Sequence, residues 1–403
     1  MNAITSTPEA LRVAMVDHIK AAGHATSPAV EQAMRTVPRH DFVPDATVED
    51  AYADIAVITK RFSDGSALSC ASVPKVVAMM LDQLQVQPGN RILEIGAGTG
   101  YNAALLAQLT GPGGAVTTVD IDSEVTAGAR SGLDVTGNEH IEVITRDGSL
   151  GAAENAPYDR IIFTVGAWDL TPAFWEQLAP GGRLVVPLRW RGQTRSVAFV
   201  RDGDALVSDS MELCGFVPML GQEGEQSGVI DADGLVTLFW DVDQTIDAAK
   251  LSGVLDQTKE TIWSDIMVGS EEPFDGIWLR ITGHDSRICR ISADHAAVEA
   301  GLCTPAIPIR SPALVEDDSL AYLAIRKVEQ GRYELGAIGQ GTCGAHLAGQ
   351  LCDEIEAWNH DRNARPRVRA YPAGAPRSAT PFDQSLNHEV IQKSASRLVV
   401  SVD

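Results

Sequence analysis

The sequence is short of several features that would place it outside the ordinary globular class. Its 403 residues hold six cysteines, Cys70, Cys214, Cys289, Cys303, Cys343 and Cys352, and no two form a C-x-x-C pair. Free thiols are therefore expected, rather than a disulfide framework or a zinc ribbon. The nine histidines never fall at H-x-x-x-H or H-E-x-x-H spacing, so no metal is expected. The first residues, MNAITSTPEALRVAMVDHIKAAG, lack a basic segment followed by an apolar one, and no secretory signal is expected. No run of about 18 apolar residues occurs, which excludes a spanning helix. A cytoplasmic protein is the expectation.

Positive charge is also scarce. Against 54 Asp+Glu stand 32 Lys+Arg, a net charge of −22. Such a chain does not hold nucleic acid by counterion release and is repelled by an anionic membrane. Apolar residues make up 44%, enough for a sizeable core. At roughly 150 residues per domain the length implies two or three domains.

Apolar periodicity predicts a helix through Leu11, Val13, Met15, Val16 and Ile19 that ends at Gly23, and a second from Pro28 to Val37. From Arg91 the pattern changes. RILEIGAG, AVTTVDID, HIEVITRDG, YDRIIFTVGA and GGRLVVPL read as strands, and NAALLAQL, EVTAGARSGLDVTG and FWEQLAP as the helices between them. Alternation at this spacing predicts a parallel sheet covered on both faces. After Gly221 the polar, glycine-bearing QEGEQSGVIDADG marks a boundary. Beyond it we expect a long helix over about Thr245–Ile266, strands at GIWLRIT, AYLAIRKV, YELGAIG and SRLVVSV, a helix at AHLAGQLCDEIEAW, and a basic stretch from Arg362 to Arg377. Two domains follow, residues 1–221 and an α+β extension, residues 222–403.

The chemistry centres on Glu94-Ile95-Gly96-Ala97-Gly98-Thr99-Gly100, between a strand and a helix. A dinucleotide turn needs G-x-G-x-x-G. This one is G-x-G-x-G with an acid two residues before the first glycine, which suits a cationic amino-acid cofactor better than a pyrophosphate. Asp120 ends the second strand, where a carboxylate can accept from ribose hydroxyls. Asp147-Gly148 ends the third, where an acid can accept from an adenine amine. Each alone is equally a strand-end turn. In this order the three acids point to S-adenosyl-L-methionine.

The sequence resembles the protein-L-isoaspartate O-methyltransferase family. The matching pieces are VPRHDFVP (37–44), AYAD (51–54), SVPKVVAM (72–79), LEIGAGTGYNAALLA, RDGSLG, PYDRIIFTVGA, QLAPGGRLVVPL and GFVPM (215–219). They cover about residues 10 to 221 in order. The resemblance implies a class I S-adenosylmethionine-dependent methyltransferase fold, Rossmann-like with a seven-stranded sheet, and methyl transfer to a peptide carboxylate. It implies that Ser72 is the active-site hydroxyl. Ser69, Cys70, Ala71 and Ser72 would border the cofactor. Gly96, Gly98 and Gly100 would line its methionine and ribose, Asp120 and Ile121 its ribose and adenine, and Asp147 and Gly148 its adenine. Ser72 as N-cap of the helix opened by Pro74 is the competing role.

Three departures fall on the acceptor side. Lys75 stands where the family usually has histidine. The stretch from Asp54 to Ser72 is longer and carries Lys60-Arg61-Phe62. Trp168-Asp169 replaces small residues and prolines. Arg61, Lys75, Thr164, Gly166 and Trp168 are the expected substrate contacts, with Lys60, Arg61 and Lys75 offsetting the acidic field around an acidic acceptor. The extended length resembles the lanthipeptide-associated methyltransferases of the FxLD system. That resemblance implies methylation of a normal aspartate in a cyclised peptide, followed by succinimide (aspartimide) formation, with the extension binding the peptide. The alternative is isoaspartate repair in many proteins, and a third reading is a non-catalytic cofactor-binding escort.

Overall fold

The computed structural model describes residues 7–376 and 387–402. Arg377, the last residue of the expected basic stretch, lies outside the described residues. The chain forms two compact units, one running to Leu188 and including Thr194–Gln222, the other comprising Arg189–Gln193 and the residues from Glu223 onward.

The first unit opens with helices α1 (Pro8–Ala21) and α2 (Pro28–Thr36), each with proline in its first turn, where the missing N–H costs nothing. A 3-10 turn (Arg39–Phe42) and α3 (Val48–Tyr52) follow, then the hairpin β1 (Val57–Arg61) and β2 (Ala67–Ala71), and α4 (Pro74–Leu84). The alternating segment is β3 (Arg91–Ile95), α5 (Tyr101–Thr110), β4 (Ala115–Asp120), α6 (Ser123–Val135), β5 (Glu142–Thr145), β6 (Tyr158–Phe163), α7 (Pro172–Gln177) and β7 (Leu178–Trp190). Strands β8 (Gln193–Asp202) and β9 (Ala205–Leu213) complete it as an antiparallel pair.

In this unit the strand order is β9-β8-β7-β6-β3-β4-β5, with β3 parallel to both β4 and β6. Every residue of β3 after Arg91 is buried, as expected for a parallel strand covered on both faces. The chain leaves β3 toward β4 on one side and returns as β6 on the other. The loops after β3 and β6 therefore diverge, and a crevice opens at their carboxyl ends. Helices α1, α2, α4 and α5 bury Val16, Ile19, Met34, Leu84 and Leu105 in one core with Ile92, Ile162 and Val185 of the sheet.

The second unit holds β10 (Glu225–Val229), β11 (Val236–Asp241), β12 (Glu260–Gly269), α8 (Asp275–Ile281), β13 (Ile288–Ala293), α9 (His295–Glu299), β14 (Ser311–Glu316), β15 (Ser319–Glu329), β16 (Arg332–Gln340), α10 (Gly344–His360), β17 (Arg367–Pro372), β18 (Asn387–Gln392) and β19 (Ser396–Val402). Seven of these strands form an antiparallel sheet, β10-β11-β13-β14-β15-β16-β12. Strand alternation divides their apolar side chains: Ala313 and Val315 face one core, Leu314 the other, against α8 and α10. Strands β17, β19 and β18 pair antiparallel.

Two expectations here are corrected. Thr245–Ile266 is not a long helix but two 3-10 turns, Ala248–Leu251 and Val254–Asp256, followed by β12. Gly253, at φ +79°, breaks the chain between the turns, and β-branched Thr261 and Ile262 pair with β16. GIWLRIT is not a strand but α8. A short apolar run fits both periods, and here it is buried on nearly all sides. No helix among the described residues is long and apolar enough to cross a membrane.

Helix α10 meets β16 through glycine. A Cβ on Gly339 would lie 1.9 Å from the Gly344 carbonyl oxygen, and backbone cannot swing aside as a side chain would. We expect Gly339→Ala to cost at least about 1–3 kcal/mol, read as a lower thermal midpoint. Gly349, inside α10, has no neighbouring atom within 4 Å of the place a Cβ would take. Gly349→Ala should stabilise by about 0.5–1 kcal/mol, and equal melts for the two variants would refute this packing.

Candidate active site

The crevice at the carboxyl ends of β3, β4 and β6 is a cleft of about 630 Å³. Its wall includes Ser69, Cys70 and Ala71 from the end of β2 and Ser72 just after it, Glu94 of β3, Gly96 and Gly98 of the β3–α5 turn, Asn102 of α5, Asp120 from β4, and Thr164 after β6. An adjoining space of about 480 Å³ shares Leu68, Gly96, Asp120 and Val165 with it and adds Ile121, Asp147 and Gly148.

Glu94 is fully buried, and both its oxygens are bonded. One accepts from the Asn102 side-chain amide at 2.7 Å, the other from the Thr118 hydroxyl at 2.6 Å. Burial nevertheless raises its pKa to about 7, because desolvation penalises the charged form. Asp120 is likewise pushed up by burial, although the N–H groups of Gly98 and Asp122 each donate to it at 3.2 Å. Gly96, at φ +99°, has no room for a side chain: a Cβ there would sit 2.5 Å from the Thr164 hydroxyl oxygen. That hydroxyl donates to the Gly96 carbonyl.

These features fit S-adenosyl-L-methionine. A buried acid with a raised pKa gains most from a cation placed beside it, which the methionine ammonium would supply. Asp120 sits at the junction of the two spaces, as a ribose acceptor would, and Asp147 and Gly148 line the adjoining space, where an adenine would lie. Gly100 lines neither space. It caps α5, and its missing Cβ makes room for the Ala129 carbonyl of α6.

Ser72 stands on a partition. Together with Cys70, Phe216 and Val217 it lines both the cofactor cleft and a second cavity of about 690 Å³, whose remaining wall is Ala56, Ile58, Val73, Val76 and Gly215. The N-cap of α4 is Val73, without a side-chain cap bond. The capping role considered for Ser72 is therefore not the one the structure gives it.

Two residues that sequence reasoning left without a role hold this segment. Arg39 is wholly buried, and its guanidinium donates to the carbonyls of Ala51 at 2.8 Å, Ala71 at 3.1 Å and Ser72 at 2.9 Å. It also lies over the Tyr101 ring, 5.0 Å from the centroid. Asp54 accepts from the Lys75 backbone N–H at 3.0 Å, at the start of α4. Both lie in the VPRHDFVP and AYAD pieces, so the signal was present, but nothing in the order of residues says where a guanidinium points.

The expected acceptor cations lie elsewhere. Lys60 is held by Asp122 and Glu124, each at 2.7 Å. Arg61 donates to the Gly65 carbonyl of its own hairpin at 2.8 Å. The Lys75 ammonium pairs with Asp54 at 3.3 Å. Gly166 is bridged to Val217 and Met219 through its own backbone, and Trp168 is buried at 7% exposure. Arg61, Lys75, Gly166 and Trp168 line neither the cofactor spaces nor the second cavity. Of the expected substrate contacts Thr164 alone lines one of them, the cofactor cleft.

Residues 10–224 match the family described as Protein-L-isoaspartate(D-aspartate) O-methyltransferase. The protein-L-isoaspartate O-methyltransferase of Methanopyrus kandleri is 38% identical over 218 residues, 53% of this chain and 93% of that protein. That of Methanoregula boonei is 39% identical over 210 residues, 52% of this chain and 93% of its own. A solved protein-L-isoaspartate O-methyltransferase covers 89% of this chain and 96% of its own, with a TM-score of 0.50 at 19% identity; this likeness is one of fold. The class I methyltransferase fold expected from the sequence is thereby borne out.

Glu94 makes cofactor binding depend on pH. Its folded pKa of about 7 lies above the ordinary 4.5, so the fold penalises its ionised form. Through this group the ligand-free protein loses stability as pH rises between those values, and a bound cation, by favouring the ionised form, opposes that loss. Cofactor affinity should therefore weaken as pH falls below about 7. Glu94→Gln should raise the ligand-free melting point at alkaline pH, weaken cofactor affinity by about tenfold or more, and flatten its pH dependence. Calorimetry across the pH range checks this, and a wild-type affinity independent of pH would refute it.

Proposed function

Since the chain belongs to the protein-L-isoaspartate(D-aspartate) O-methyltransferase family, we propose that its acceptor is the carboxylate of an isoaspartyl residue in a peptide or protein. The chain is an S-adenosyl-L-methionine-dependent carboxyl O-methyltransferase. The observation that carries the acceptor site is the place of Ser72, on the partition between the cofactor cleft and the apolar second cavity.

When bound, S-adenosyl-L-methionine supplies an electrophilic methyl group. Glu94 and Asp120 would hold its ammonium and ribose ends. The acceptor carboxylate is already ionised at neutral pH, so the site needs no strong base. The protein's task is alignment, which alone can supply about 7 kcal/mol or more of a barrier. Ser72 would donate a hydrogen bond to one carboxylate oxygen and leave the other free to react. The apolar wall of Ala56, Ile58, Val76 and Phe216 would exclude water, so that the carboxylate meets no competing donors.

The peptide-tailoring reading, a normal aspartate in a cyclised lanthipeptide precursor, drew on the large extension beyond the family's minimal length. The family that matches residues 10–224 and the relatives from Methanopyrus kandleri and Methanoregula boonei are isoaspartate methyltransferases, and this supports the isoaspartyl acceptor over the tailoring one. Isoaspartyl acceptors are the better-supported reading.

Matched peptides carrying isoaspartate or aspartate at one position test it. We expect the isoaspartyl peptide to gain one methyl group, seen by mass spectrometry, at least about a hundredfold faster. Preference for normal aspartate in a cyclised peptide would restore the tailoring reading. Ser72→Ala should lower kcat about 10- to 100-fold and leave cofactor affinity within about twofold. Wild-type turnover in that variant would remove Ser72 from the site.

A further inference from the structure

An isoaspartyl acceptor, the reading on which this inference rests, brings a full negative charge into the second cavity. Among the described residues, no lysine or arginine lines that cavity or the cofactor cleft, whose own charged groups are the acids Glu94 and Asp120. A carboxylate desolvated there without compensation would be costly. Lys60 and Lys75 are each already paired to acids. Asp54, accepting from the Lys75 N–H, occupies the start of α4.

Arg39 differs from these cations. The bonds of its guanidinium go to three neutral carbonyls, those of Ala51, Ala71 and Ser72, and its Nη1 is buried with no partner. Its charge is thus solvated by dipoles and not cancelled by a bonded carboxylate. Those dipoles have a direction. In a trans peptide the N–H points opposite to the C=O, and among the described residues the cis peptide is elsewhere, at Ala156-Pro157. With the Ala71 and Ser72 carbonyls turned to Arg39, the N–H groups of Ser72 and Val73 point away from it. Neither N–H has a hydrogen-bond partner among the described residues, and both residues line the second cavity.

We infer that the Ser72 and Val73 N–H groups, polarised from behind by the buried charge of Arg39, form with the Ser72 hydroxyl a cradle for the acceptor carboxylate. Arg39 is the positioning residue that makes this cavity select an ionised acceptor. It touches neither the substrate nor the cofactor and acts through two peptide units. The arrangement stabilises charge with fixed dipoles in a water-poor site, where such dipoles act strongly.

Two variants test it. Arg39→Gln removes the charge. Val73→Pro removes one N–H at a residue whose φ of −54° and ψ of 124° already suit proline, and whose N–H has no folded partner to lose. Each is measured by calorimetry with S-adenosyl-L-homocysteine bound, which lacks the sulfonium charge. The probes are an isoaspartyl peptide and its methyl ester. The preference for acid over ester should fall about tenfold in each variant, with ester affinity little changed. A merely structural role for Arg39 would weaken acid and ester alike, and an unchanged acid-to-ester ratio in the variants overturns the inference. If Arg39→Gln does not fold, the Val73→Pro ratio decides alone. Wild-type enzyme is assayed alongside: failure to methylate the isoaspartyl peptide sinks the functional reading, whereas normal methylation with an unmoved ratio sinks only the cradle.

Discussion

Three backbone carbonyls from two places in the sequence converge on one buried guanidinium, and the acceptor side of the site hangs on that convergence. Arg39 reaches the end of α3 through Ala51 and the β2–α4 turn through Ala71 and Ser72. Burying a cation is costly unless dipoles or charges compensate it, and the three carbonyls that do so tie the helical N-terminal segment to the active-site turn. Burial lowers the pKa of Arg39, yet a guanidinium stays charged at any physiological pH. The partition on which Ser72 sits therefore has a fixed charge behind it.

The cofactor half follows a different rule. Its acids are buried, and burial drives both Glu94 and Asp120 toward the neutral form. Hydrogen bonds from Asn102, Thr118 and the Gly98 amide fix where those carboxyls point without fully offsetting the desolvation. A cationic, hydroxyl-bearing ligand completes what the protein leaves unbalanced. The net charge of −22 is thus no obstacle to an anionic acceptor. Fields of exposed acids are screened within about 8 Å at physiological salt, while the charges that face the two ligands are buried and local.

The second unit is built on other principles. Its sheet is antiparallel and bears an apolar core on each face, and its seam between β16 and α10 is a backbone-to-backbone contact at Gly339 and Gly344. The sequence relatives from Methanopyrus kandleri and Methanoregula boonei are matched over little more than half of this chain. The solved isoaspartate methyltransferase that covers 89% of it shares the fold.

What the sequence by itself determined was local in character. The alternation from Arg91 to Leu188 was legible because parallel strands and their covering helices differ sharply in period. The glycine turn was legible because its spacing and its preceding acid are steric and electrostatic requirements written in consecutive residues. Thr245–Ile266 and GIWLRIT were misread because short apolar runs carry no decisive period, and pairing with β16 or burial against α10 chose between the options. The acceptor side was decided only by tertiary structure. Lys60, Arg61 and Lys75 lie close to Ser72 in sequence, yet Asp122, Gly65 and Asp54 hold them. Arg39, 33 residues before Ser72, reaches its carbonyl. A side chain's partner is set by where folding brings opposite charges and unsatisfied dipoles together, and that is not encoded in separation along the chain.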